Sequence, residues 1–154
     1  MARSENASRS SSPSDWFFNT NETHSKNAFH QMLAQSAIAL YGYPKGVGEK
    51  KLQRPLRGDR VFVFVNEKGI VAVGRFSDND VLASKGIFHL GADREFRRQV
   101  RWQCVVNADR AVSCATVAEL GYRLPVRCTV GEIDDDSIGD RIEKILLERG
   151  DDRL

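Results

Sequence analysis

The 154-residue chain is short of several residue types and patterns, and each shortage removes a class of function. It has three cysteines, Cys104, Cys114 and Cys128, and no CxxC pair. An odd, widely spaced set makes neither a disulfide framework nor a zinc site. The cysteines read as buried thiols in a reducing compartment, which predicts a cytoplasmic protein. No apolar run approaches the roughly 18 residues of a membrane-crossing helix. The opening MARSENASRSSSPSD has no apolar segment, so no secretory leader is expected. His24, His30 and His89 form no recognisable set with a serine or cysteine. No catalytic residue is therefore assigned, and a binding module is expected rather than an enzyme. The short Gly46-Val47-Gly48 is neither a Walker loop nor a dinucleotide fingerprint. No metal and no cofactor are expected, and there are no internal repeats.

What is present suits one ordinary domain. Residues 1–14 are Ser-rich with almost nothing to bury, and read as a disordered tail. Residues 15–150 form the domain, and 151–154 a short tail. DWFFNTN, Asp15–Asn21, reads as a strand, with Trp16, Phe18 and Thr20 on one face. Ser25–Leu40 has the i, i+3, i+4 spacing of a helix through Phe29, Met32, Leu33 and Leu40. Residues 41–60 lack an apolar period and read as a loop. Val61–Val65 and Ile70–Phe76 are apolar on both faces, with a four-residue turn Asn66–Gly69 between them. Such strands sit in the middle of a covered sheet. Residues 77–95 read as irregular, with a turn at Ser77–Asp80 and a short strand near GIFHL. Arg98–Asn107 alternates, placing Val100, Trp102, Cys104 and Val106 on one apolar face, so Trp102 reads as core. A short helix at Cys114–Leu120, a strand at Val126–Val130 and a helix at Ser137–Arg149 follow. The expected fold is α+β, a small, mainly antiparallel curved sheet or barrel with flanking helices.

The net charge of +2 hides an uneven distribution. Lys45–Arg60 holds six basic residues against two acids, net +4, and Arg94–Arg101 holds four arginines against one acid, net +3. Glu132–Leu154 holds nine acids against four basic residues, net −5. Basic segments beside an aromatic-rich sheet suit a polyanion such as nucleic acid. The plainer reading of such runs is solvated loops.

Three segments carry a family resemblance. DWFFNTN resembles the first strand of EVE domains. GDRVFVFVNEKGIVAVGRFSD resembles their following hairpin. FRRQVRWQCVVNADRAVSCATVAEL resembles the next strand and its short helix in EVE and related YTH domains. In order, these span roughly Asp15 to Glu132, and the resemblance implies a PUA-like fold. It also implies binding of DNA or RNA through a modified base held in an aromatic-lined pocket. Stacking repays the unstacking of a flipped base, and side-chain amides read its edge. On that resemblance the base pocket would hold Asn19, Thr20 and Asn21, with Tyr41 or Tyr43 and Phe88 or Phe96 as stacking partners. The YTH cage tryptophan after the first helix has no counterpart here. Asn19 and Asn21 could equally end a strand, and the tyrosines could pack on the core. Lys45, Lys50, Lys51, Arg54 and Arg57 would flank the pocket as phosphate contacts, and Arg98 and Arg101 would extend the track. Two alternatives stay open: a protein-interaction domain using the acidic last helix, and a hydrolase or nuclease like some ASCH domains.

Overall fold

Two strands apolar on both faces can be hydrated on neither, so they end up in the middle of the structure. A computed structural model describes residues 13–20, 28–40, 46–83 and 95–150. In it β3 (Arg60–Val65) and β4 (Gly69–Ala83) are the two central strands of a six-stranded sheet ordered β2-β5-β4-β3-β1-β6. The others are β1 (Asp15–Thr20), β2 (Ala37–Leu40), β5 (Phe96–Val105) and β6 (Val130–Ile133). β1 runs parallel to β3; every other pairing is antiparallel. The sheet is open rather than a closed barrel. Helices α1 (Ala28–Ala34), α2 (Val47–Gln53), α3 (Cys114–Glu119) and α4 (Asp136–Arg149) flank it. The α+β architecture expected from the sequence is the one observed.

Local chemistry explains several boundaries that differ from the sequence expectation. The helical period over Ser25–Leu40 covers two elements, because Ser36 takes a left-handed backbone (φ 52°). The four apolar residues after it, Ala37–Leu40, are all buried as β2 against β5. Within the expected loop lies α2, anchored by Leu52, its one large buried side chain. The turn expected at Ser77–Asp80 is a bulged stretch of β4, which re-pairs with β5 from Val81 onward. GIFHL lies outside the described residues. The last strand begins where its expected span ends, at Val130. In the β3–β4 turn Gly69 already pairs with Val65, so the turn proper is Asn66–Lys68. Gly69 has φ 130°, and a Cβ there would lie 2.6 Å from the Val112 carbonyl oxygen.

The core is continuous across both faces of the sheet. Phe17, Phe62, Val63, Ile70, Val73, Val100, Ile133 and Ile142 are fully shielded. Trp102 packs edge-on against Phe29 of α1, with centroids 6.0 Å apart. It is the core residue its strand period predicts, whereas of the three cysteines expected to be buried only Cys104 is: Cys114 opens the short α3 and Cys128 precedes β6, and both are exposed. Trp16 donates from Nε1 to Asp59 at 2.8 Å, and the Asp59 carboxylate also accepts from the backbone of Ser14 and Leu56. α3 starts at a capped end: Ser113 Oγ accepts from the Thr116 N–H at 3.1 Å. Ser113→Ala removes that cap and should lower unfolding free energy by about 1 kcal/mol, read as a shift in urea midpoint at unchanged m-value.

Candidate nucleic-acid interface

The polar end of β1 holds the first candidate site. Asn19 lies between β3 and β6, its backbone N–H donating to Thr129 O at 2.9 Å. Its side-chain Nδ2 donates to Val126 O at 3.0 Å. That bond fixes the amide plane and leaves Oδ1 buried with no hydrogen-bond partner among the described residues. Thr20 is different. Its hydroxyl donates to Phe64 O at 3.3 Å and its side chain is buried, so it serves the strand. Asn21 lies outside the described residues.

Of the expected stacking residues only Phe96 is described, and it is not beside Asn19: it lies on β5, three strands from β1 and at the far end of β4 from the β3–β4 turn. Phe96 opens β5, half-buried, and pairs with Leu40 at the end of β2 and with Ala83 at the end of β4. Tyr41, Tyr43 and Phe88 lie outside the described residues, as does Lys45.

The basic residues separate into those buried in the fold and those nearer its surface. Arg98 was expected on a phosphate track, and the structure corrects this. Its side chain is fully buried. Nη1 donates to Leu52 O at 2.6 Å and to Pro55 O at 2.8 Å, Nη2 donates to Asp78 O at 2.6 Å, and the guanidinium lies 4.6 Å from the Phe76 ring centroid. A guanidinium so enclosed cannot reach a phosphate. Arg60, counted in the basic run, is also interior. It makes two 2.7 Å bonds to the Asp15 carboxylate and pairs with Asp140 and Glu143 of α4. Two acids of α4 are thus paired with it, Glu143 mostly shielded and Asp140 mostly exposed.

Arg54 lies over the Trp16 ring at 5.1 Å and donates to Val130 O at 3.4 Å. Lys50 is exposed and Lys51 half-buried on the last turn of α2. Arg57 and Arg101, 44 positions apart in sequence, come together. They line one cleft of about 190 Å³ with Gly58, Arg75, Ser77 and Gln103. The sequence reading passed over Arg75. Its signal was a lone cation inside an otherwise apolar strand, Ile70–Phe76.

Among the described residues no three His, Cys, Asp or Glu side chains gather as metal ligands. No helix of the described residues is long and apolar enough to cross a membrane.

No family model matches the chain, and no curated protein matches it. Solved structures do. The YTH domain of the Zygosaccharomyces rouxii MRB1 protein, solved in complex with N6-methyladenosine RNA, matches at TM-score 0.56 and 19% identity, over 86% of each chain. The chain shares its fold with this YTH domain. A hypothetical protein from Leishmania major matches at TM-score 0.57 and 10% identity, over 91% of this chain and 98% of that one. An ASCH protein from Zymomonas mobilis matches at TM-score 0.50 and 6% identity, over 84% and 94%. At these identities the likeness is one of fold.

Proposed function

We propose that this chain is a nucleic-acid binding module, EVE-like within the PUA-like fold, that recognises a modified base of DNA or RNA at the end of β1. The observation that carries the reading is the orphan oxygen of Asn19. A buried acceptor without a donor costs about 1–3 kcal/mol. An exocyclic amino or ring N–H group on a base edge would supply that donor, with the amide already oriented by Val126. The fold likeness to a YTH domain solved with N6-methyladenosine RNA agrees with a base-reading role. Binding, not turnover, is the proposed activity.

The test is a fluorescence-anisotropy titration with single- and double-stranded DNA and RNA. Each oligonucleotide is used plain, with 5-methylcytosine, and with N6-methyladenine. One modified ligand should bind about tenfold tighter than its plain form, a difference of about 1.4 kcal/mol. Asn19→Ala should erase that preference and leave affinity for the plain ligand nearly unchanged. Equal binding to every ligand would overturn the reading.

A further inference from the structure

The Arg57–Arg75–Arg101 cleft has no role in the fold that explains its composition. Arg75 and Arg101 stand directly opposite each other on β4 and β5. Like charges at opposed strand positions are unfavourable. Among the described residues no carboxylate lies within ion-pair distance of Arg57, Arg75 or Arg101. The nearby acids are engaged elsewhere: Asp59 accepts from Trp16, Ser14 and Leu56, and Asp78 accepts from the Asp80 N–H.

The cleft is also held in shape. Arg75 Nη1 donates to Gly58 O at 3.1 Å, which fixes one edge of its guanidinium. The Arg57 N–H donates to Asn79 Oδ1 at 2.7 Å, which holds the loop that carries it. Arg101 is exposed and has no partner among the described residues. Gln103 lines the same wall with its Oε1 buried and unpaired. Turning that amide over would add an N–H donor to the guanidinium groups.

We infer that this cleft is a phosphate-binding site for the nucleic-acid backbone, separate from the base site at Asn19. Several N–H donors around an open space match the acceptor oxygens of a phosphate. The cleft lies about four residues along the strands from Asn19 and two strands across, roughly 15 Å at ordinary strand spacing. A strand whose base enters at β1 would be gripped again through its backbone. The inference rests on the proposed nucleic-acid function for its partner, but not on base modification.

The experiment uses unmodified single-stranded DNA and RNA across a salt series, each strand with a 5′-hydroxyl or a 5′-phosphate. The proteins are the full chain, Arg101→Gln, Arg75→Lys and the control Lys144→Gln on α4. Arg101→Gln should reduce the slope of log affinity against log salt by about one, the signature of one lost phosphate contact. Lys144→Gln should leave the slope unchanged. Arg75→Lys keeps the charge but loses the planar fork, and should weaken binding at an unchanged slope. Equal loss in 5′-hydroxyl and 5′-phosphate strands identifies an internal phosphodiester, and loss confined to 5′-phosphate strands identifies a terminal phosphate. Either result supports the site. An unchanged slope in Arg101→Gln, or an equal drop in Lys144→Gln, would overturn it. If the modified-base preference persists while the Arg101→Gln slope is unchanged, the cleft fails and the base reader stands. If the slope falls and no base preference exists, the reverse holds.

Discussion

Replacing Arg60 with methionine should remove about 3–5 kcal/mol of stability at neutral pH, the usual effect of breaking a buried ion pair by deleting one partner. The Asp15 carboxylate has almost no solvent access, and Arg60 donates to both of its oxygens at 2.7 Å. Without the guanidinium, Asp15 is left buried beneath α4, with Asp140 and Glu143 close by. The helix cannot back away to admit water without losing its own packing. Gly139 sits so near the pair that a Cβ on it would lie 1.9 Å from Asp15 Oδ2. The loss should depend on pH in a definite direction. Burial raises the Asp15 carboxyl above its ordinary value, and the Arg60 bonds only partly pull it back. The folded protein therefore takes up this proton more readily than the unfolded chain. The cost of the charged form is present above the folded pKa and relieved as pH falls through it. Deleting Arg60 raises that pKa further, so the gap between the variant and the parent should narrow as pH falls from 7 toward about 4. Urea titrations at several pH values measure this. The double replacement Asp15→Leu with Arg60→Met should recover most of the stability. A gap that widens with acid would contradict the assignment.

The buried pair also shows where sequence reading stops. Asp15 reads as the first residue of a strand and Arg60 as one cation in a basic run, and nothing local joins residues 45 apart. The hairpin was legible because strands apolar on both faces have one physical destination. The core role of Trp102 was legible because alternation along β5 is strict. The division of Ser25–Leu40 was not. Phe29, Met32 and Leu33 satisfy a helical period, and AIAL satisfies both a helix and a buried strand. The left-handed Ser36 that separates them is a backbone choice fixed by pairing with β5. At the candidate sites the sequence singled out Asn19, Arg57 and Arg101 as candidates, but showed neither the orphan oxygen nor the convergence with Arg75. Those follow from the β1–β6 and β4–β5 registers, which are long-range.

Arg98 was misread although the pattern held the answer, and its replacement should have the other large effect. Counting back from Trp102 and Val100 in steps of two lands on Arg98, on the buried face. Arg101 falls on the other parity and is exposed. A buried arginine needs acceptors, and here they are three backbone carbonyls. One of these, Leu52 O, belongs to the last turn of α2, where carbonyls have no partner within the helix. Arg98 therefore caps α2 and ties it to the loop at Pro55 and to the bulge of β4 at Asp78. Arg98→Met keeps much of the aliphatic bulk but leaves the Leu52 and Pro55 carbonyls buried without this donor and the Asp78 carbonyl half-buried. At about 1–3 kcal/mol for each of the two buried acceptors, the loss should reach at least about 2 kcal/mol. Arg98→Lys should recover only part of it, because one ammonium cannot serve three diverging acceptors as a planar fork does. Thermal melts and urea midpoints of both variants measure this. Hydrogen exchange should show early loss of protection at α2 and the β4 bulge. Under conditions where Arg98→Lys stays folded, its salt slope for nucleic acid should equal the parent's, whereas Arg101→Gln should lower it. A folded Arg98→Lys with a reduced slope would return Arg98 to the phosphate track and overturn its role as an internal cap.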